Sequence, residues 1–300
     1  MSRLPYYAKF WLKYLTGSFD DQLPDEGYLE VHKSEVDYYC KIAQPIWLEN
    51  GIQLRDINLF KNSGYTYDLY NILHPFREDL RFNFIPGDVT TVPEYPAFVK
   101  SRPIEARNDN SVLLPLDSQR HFRFVNDKIR YSDKLDGVVW RGAAYQEHRL
   151  RFLESCSDLS FINAGNTAVK KNGNVPFART KMSINEQLKY KFILSLEGND
   201  VATNLKWIMS SNSVCIMPRP KYETWFKEGT LIPNYHYIEV RDDFSDMEEI
   251  FARYLNDKSA CEQITTNANL FVKPYRKRAA NHKLGMAVVC KYKSLVSIHS

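Results

Sequence analysis

The run KYKFILSLEGNDVATNLKWIMSSNSVCIMP, residues 189–218, constrains the fold more than any other stretch of the chain. It reads as strand, sharp loop, helix, strand. Residues 190–196 are an apolar, aromatic run of strand length, and 213–217 form a second one, closed by Pro218 and Pro220. Between them Glu197-Gly198-Asn199-Asp200 has loop chemistry, because glycine takes positive φ freely and Asn and Asp bond their own backbone. Val201, Leu205 and Ile208 recur at helical spacing, which predicts a helix over 201–210. A β-loop-α-β unit builds a parallel sheet, whose ligands sit beyond the carboxyl ends of the strands. The loop after Leu196 then faces either a ligand, with the N–H groups of the next helix directed at a phosphate, or solvent, as in an ordinary α/β unit.

The 300 residues exceed one typical core, and two domains of roughly 100–200 residues each are expected. The N-terminal half is irregular and the C-terminal half regular, so the boundary is placed near Lys134: a first domain over 1–134, a second over 135–272, and a basic tail over 273–300 expected to pack back on the first. The net charge of +4 suits an anionic substrate or a membrane surface and is too small to argue for nucleic acid. The five cysteines are scattered without zinc or redox spacing, as reduced thiols of a cytoplasmic protein would be. No stretch has the ~18 apolar residues of a membrane span. Residues 3–18 mix Arg3, Lys9 and Lys13 with Tyr6, Tyr7, Phe10, Trp11, Tyr14 and Leu15. They form either an interfacial membrane helix or, the preferred reading, an arm packed on the protein's own core.

Along the chain, helix is expected over 28–44, ended by Pro45, with short helices and loops over 46–73. Strands are expected at 80–85, 98–102, 112–116, 138–140 and 237–240, helices at 147–156, 246–255, 258–270 and 273–293, and a long loop at 163–183. Two strands of the second half end in candidate anion sites: Trp140-Arg141-Gly142, and Glu197-Gly198 with the helix after it. Arginine binds phosphate bidentately, helix N-termini supply backbone donors, and an acid such as Glu197 accepts from ribose hydroxyls. Neither a P-loop nor GxGxxG is present. In the first half, Pro86-Gly87-Asp88 at a strand end is either a plain turn or the carrier of a general base.

These residues together resemble glycosyltransferase family 90. The resemblance rests on WRG at 140–142 with Arg149 after it, the 189–214 run, and NANLFV at 267–272. GDVT at 87–90, VKSRPI at 99–104 and RHF at 120–122 bring it nearest to the family's bacterial lipopolysaccharide-modifying group, beside the capsule-associated xylosyltransferases and protein O-glucosyltransferases. It spans about residues 80–275. It implies an α/β protein of GT-B type, two Rossmann-like domains facing across a cleft, with UDP-glucose or UDP-xylose as donor, inversion at the anomeric carbon, and neither metal nor other cofactor. The acceptor it implies is a surface glycan or glycolipid such as lipopolysaccharide core, with peripheral contact at the inner membrane. The absence of Asp-x-Asp agrees with the metal-free reading.

Residue by residue, Asp88 matches the family's catalytic aspartate. Arg141 and Gly142 match the WRG arginine and glycine, and Gly198, Asn199, Asp200, Val201, Ala202 and Thr203 match the phosphate-facing turn after Glu197. Where the eukaryotic O-glucosyltransferases place a second phosphate-binding arginine, this chain has Asn204; Lys206, Lys100, Arg102 and Arg179 are the candidates for the missing charge. His121 is either an acceptor contact or a hydrogen-bonded structural group. Tyr222 and Glu223, with Lys221, are candidates for sugar or ribose contacts, and Trp207 and Trp225 read as core. Two other classes stand beside this one. A non-catalytic UDP-sugar-binding protein on the same scaffold would bind without turnover, and a basic nucleic-acid-binding protein would show steep salt dependence.

Overall fold

A computed structural model of the protein describes residues 4–104, 107–169 and 174–298. Arg3 of the aromatic arm and residues 170–173 of the expected long loop lie outside them. The strands run in chain order β1 (Ile46–Leu48), β2 (Asn83–Ile85), β3 (Ala97–Val99), β4 (Ser101–Pro103), β5 (Ser111–Leu113) and β6 (Leu135–Gly142). They continue with β7 (Ile162–Asn166), β8 (Tyr190–Leu194), β9 (Val214–Met217), β10 (Tyr222–Thr224), β11 (Ile238–Glu239) and β12 (Val296–Ile298). The chain forms two compact units. The first runs to His121 and takes up Lys221–Gly229 and the chain from Lys277; the second comprises Phe122–Pro220 and Thr230–Arg276.

The second unit is a five-stranded sheet in the order β7-β6-β8-β9-β11, every pair parallel. The centres of β6, β8 and β9 are apolar runs buried throughout, the pattern of parallel strands covered on both faces. Helix Glu147–Cys156 buries Phe152 and Leu153, helix Met247–Leu255 buries Phe251, and helix Lys258–Val272 buries Cys261 and Ile264, all in one core with the strands. Counted within the unit, the sheet order is second-first-third-fourth-fifth. The crossovers therefore change direction between β6 and β8, and such a switch point opens a crevice at the carboxyl ends of the two strands.

Two expectations fail here, each for a local reason. The predicted helix over 201–210 is only Leu205–Met209. The side chain of Asn204 is tied back to the preceding strand, donating to the Leu194 carbonyl at 3.0 Å and accepting from Ser195 Oγ at 3.1 Å, and it does not cap the helix. The long loop over 163–183 begins as a strand instead: Ile162–Asn166 is β7, paired with β6 from Val138↔Ile162 to Gly142↔Asn166.

The first unit is less regular. β2, β3 and β5 make a three-stranded parallel sheet, β4 pairs antiparallel with β10, and β1 pairs parallel with β12. The expected strand over 98–102 is two strands, β3 and β4, on either side of Lys100. The expected helix over 28–44 is Glu26–Val31 and Lys33–Tyr39, separated at His32. Helix Ser63–Leu73 meets the final helix, Arg278–Leu295, with Ile72 packed against Gly285. That final helix buries Leu284, Met286, Val288, Val289 and Tyr292, and its Lys291 and Lys293 pair with Asp37 and Asp79. Helix Leu4–Thr16 packs one aromatic face inward, with Phe10 stacked on Tyr67 at 3.9 Å. Trp207 and Trp225 are buried, and all five cysteines are free. No helix among the described residues is long and apolar enough to cross a membrane.

Candidate active site

In the first unit the turn after β2 delivers Asp88. Gly87 has φ +104°, a backbone that only glycine adopts without strain. On the other side of Asp88, the Val89 N–H donates to Ser101 Oγ at 3.1 Å, and the Ser101 hydroxyl returns a bond to the Val89 carbonyl at 3.2 Å. The carboxylate is thus held between a glycine hinge and a two-bond clamp. Its Oδ1 accepts from Lys100 Nζ at 2.6 Å, from Arg120 Nη2 at 3.1 Å and, at 3.4 Å, from the Tyr65 hydroxyl. Lys100 is buried, while Asp88 keeps about a quarter of its side chain exposed. Arg120 is itself fixed by Asp117 at 2.7 Å and donates to the Tyr65 hydroxyl at 3.0 Å. Gly64 permits this, since a Cβ there would lie 2.8 Å from Asp117 Oδ1.

His121 is buried, with Nε2 3.5 Å from Lys100 Nζ. Beside Asp88 lies an open recess of about 200 Å³ lined by Ile85, Pro86, Val89, Thr90, Thr91 and Pro93. That is below the ~300–1,000 Å³ of a drug-sized pocket, enough for part of a sugar chain and not for a whole nucleotide sugar.

Arg102 and Glu223 take another role. Arg102 Nε donates to Glu223 Oε1 at 2.7 Å, across the β4–β10 pairing, and both side chains are almost fully buried. The other guanidinium donors go to the carbonyls of Tyr38, at 2.8 Å, and Ser111, at 3.1 Å, and the Tyr38 hydroxyl donates to Glu223 Oε2. Charge, donors and surface of both residues are consumed inside the fold. Here they hold the 221–229 segment to the first unit and are not exposed to a substrate. Tyr222, next to Glu223, is half-buried.

In the second unit, the switch point between β6 and β8 carries both candidate anion sites. Arg141 and Gly142 end β6, and Glu197 and Gly198 follow β8. Gly142 is required by its neighbour, because a Cβ would fall 2.6 Å from the Trp140 ring. Arg141 is anchored by four bonds: Nε to the Thr180 carbonyl at 3.1 Å, Nη1 to the carbonyls of Trp140 at 2.9 Å and Asn163 at 2.8 Å, and Nη2 to Asn163 Oδ1 at 2.7 Å. Burial, and then the nearby charge of Arg179, push its pKa down. A guanidinium whose charge is disfavoured by a neighbouring cation favours an anion beside it. Arg179 is exposed and reaches this position across Gly165, where any Cβ would sit 2.2 Å from the arginine's own Cβ. That contact explains the glycine inside β7.

Arg149 organises the floor. It donates to the carbonyls of Ala143 at 2.8 Å, Leu196 at 2.8 Å and Glu197 at 2.7 Å, joining the loops after β6 and β8, and burial pushes its pKa down to about 10. Gln146 donates to Asn199 Oδ1 at 2.9 Å, a second link between the same loops. Within the β8 loop the Gly198 N–H donates to the Asp200 carbonyl at 2.9 Å. Asn199 and Thr203 are exposed, Glu197, Gly198 and Asn204 half-buried, and Asp200, Val201, Ala202 and Lys206 buried. Because the helix starts only at Leu205, the 198–203 loop precedes its N-terminus by a turn, and a helix this short adds little dipole. The donors this region offers to an anion are therefore arginines and loop N–H groups and not a helix dipole.

Sequence reasoning did not single out Tyr65, Arg120 or Asn163. Arg120 stood beside His121 in the RHF run, but nothing in the sequence pointed to Tyr65, which comes from helix Ser63–Leu73, in a stretch where short helices and loops were expected without bounds.

Comparison with known proteins gives a consistent result. The sequence model of Glycosyl transferase family 90 matches residues 116–296, which contain Arg141, Arg149, Arg179 and the 198–203 loop and exclude Asp88. O-glucosyltransferase LpsA of Dichelobacter nodosus is 44% identical over 265 residues, covering 88% of this chain and 83% of that protein. Uncharacterized protein 179R of Invertebrate iridescent virus 6 is 27% identical over 167 residues, covering 52% of this chain and 13% of that protein.

Proposed function

The chain belongs to glycosyl transferase family 90, and from that premise we propose that it moves glucose from UDP-glucose to a hydroxyl of a surface glycan, inverting the anomeric carbon without a metal. The observation that carries this reading is the placement of Arg141 and the Glu197–Gly198 turn at the switch point of a parallel sheet, where such sheets bind nucleotides. The O-glucosyltransferase relative supports glucose over xylose as the transferred sugar.

In the proposed reaction the diphosphate of UDP lies against Arg141, Arg179 and the N–H groups of the 198–203 loop. The acceptor oxygen forms a bond to C1 of the sugar as the C1–O bond to UDP breaks, its electron pair leaving on the diphosphate. The acceptor's proton passes to the carboxylate of Asp88, which Lys100 and Arg120 position beside the recess. Charge developing on UDP meets fixed guanidiniums and backbone donors, the role a cation fills in metal-dependent transferases. A GT-B organisation, a lipopolysaccharide-core or other glycolipid acceptor, and a cytoplasmic address at the membrane belong to the same proposal; the family's bacterial group supports them.

Thermal shift and UDP release over a panel of nucleotide sugars, in EDTA, test it. Stabilisation by UDP and UDP-glucose with EDTA-insensitive release of UDP is the expected result. A preference for UDP-xylose would correct the donor, binding without turnover would indicate a sugar-nucleotide-binding protein, and no shift with any nucleotide would overturn the phosphate site.

A further inference from the structure

Helix Leu4–Thr16 carries apolar side chains on two faces. The inner one holds Phe10, buried against Tyr67. At 100° per residue, Leu12 and Leu15 fall on the opposite side, and they are 62% and 79% exposed. Trp11, on the shoulder between the faces, stacks at 5.3 Å on Phe60, which is itself 83% exposed. Leu12 and Leu15 are three residues apart and Trp11 and Leu15 four, so these side chains and Phe60 form one continuous crest from two separate segments. A helix serving only the core would be polar at positions 12 and 15.

The helix that carries most of the crest is basic. Lys9 and Lys13 flank it on the helix, Lys61 follows Phe60, and the helix contains no acidic residue. Aliphatic and aromatic side chains edged by lysines match the boundary between lipid headgroups and acyl chains, with anionic phosphates as the counter-charge. A second copy of the chain is a poorer occupant, because a two-fold contact through this face brings two lysine-edged surfaces together.

We propose that the crest of Leu12, Leu15, Trp11 and Phe60 docks the protein peripherally on an anionic lipid surface. The inference stands on this surface and is independent of the transfer reaction.

The test is co-sedimentation of the full chain with vesicles of phosphatidylcholine alone and of phosphatidylcholine with phosphatidylglycerol, without sugar nucleotide. Binding to the anionic vesicles only, weakening as salt rises, is expected. The variant Leu12→Ser/Leu15→Ser/Phe60→Ser changes exposed positions and should melt like the wild type while partitioning at least about tenfold less. Replacing Lys9, Lys13 and Lys61 by Gln should lower partition by roughly fivefold per lysine. Equal vesicle binding by the triple serine variant, or no wild-type binding to anionic vesicles, would overturn the proposal. So would a wild-type dimer in sedimentation velocity that the triple variant abolishes. Because no donor is present, a negative result leaves the transferase reading intact, and a failed transferase assay leaves the docking surface standing.

Discussion

The hydroxyl of Tyr6 donates a 2.5 Å hydrogen bond to Oδ1 of Asp68, a carboxyl group buried beneath the first helix. Asp68 also accepts from the Ser118 N–H at 2.7 Å and the Ser118 hydroxyl at 3.1 Å. Ser118 opens the short helix Ser118–His121, which carries Arg120 onto Asp88. One carboxyl group therefore joins the first helix to the segment that holds the proposed base.

Burial raises the pKa of Asp68 from its ordinary 3.8 to about 6, against the opposing effect of its hydrogen bonds. The folded state thus resists an ionisation that the unfolded chain undergoes freely. Any stability due to the neutral carboxyl is fully present below about pH 4 and is lost as the pH rises through 6, a change on the order of 3 kcal/mol. In Asp68→Asn this dependence should vanish. The difference in Tm between wild type and variant should move against the wild type from pH 4 to pH 7; a constant difference would show that the group does not titrate in this range.

Asp88→Asn should lower kcat by roughly 10²–10⁴-fold, the usual cost of losing a general base, while UDP still stabilises the protein thermally. The substitution also removes the charge facing the buried ammonium of Lys100, so a stability loss of up to ~3 kcal/mol accompanies it. Adding Lys100→Met should recover part of the Tm and none of the activity. Recovery of turnover in the double variant would show that Asp88 acts on stability and not on chemistry.

What the sequence made legible follows from where the information lies. β6, β8, β9 and helix Glu147–Cys156 are continuous apolar or periodic runs, and their local signal sets their burial. β7 was hidden because Gly165 serves the passage of Arg179, a long-range packing requirement that composition reads as loop. The helix before β9 was overextended because the Asn204 side chain bonds backward to Leu194, a choice periodicity does not see. Asp88 and Lys100 were both candidates from their motifs, yet their ion pair was not evident, and Tyr65 had no signal at all. Arg102 and Glu223 were marked for substrate because they are charged and near motifs. Partners 121 residues apart give no local hint that they will neutralise each other.

That pair supplies the third expectation. Glu223→Gln leaves the guanidinium of Arg102 buried without its counter-charge, and breaking such a pair from one side costs about 3–5 kcal/mol. A fall in Tm on the order of 10 °C is expected for a chain of this size, with the donor KM of the surviving folded enzyme unchanged. A raised KM at unchanged Tm would place Glu223 in the substrate site after all.

Arg141 and Arg179 lie close together but are held differently, and this separates two roles that a shared anion site would otherwise merge. Arg141 commits four of its five N–H donors to three carbonyls and the Asn163 side chain and keeps one for the diphosphate, so its replacement should disturb the loops after β6 and β7 as well as the donor. Arg179 is exposed and crosses Gly165, so its removal should leave the fold untouched. A charge-assisted bond to a phosphate contributes roughly 1.5–3 kcal/mol. Arg179→Ala should therefore weaken UDP binding roughly 10- to 100-fold by calorimetry at unchanged Tm, whereas Arg141→Ala should lower both. If Arg179→Ala binds UDP as tightly as the wild type, the second phosphate-binding charge lies elsewhere, and the exposed guanidinium beside Arg141 is a surface group only.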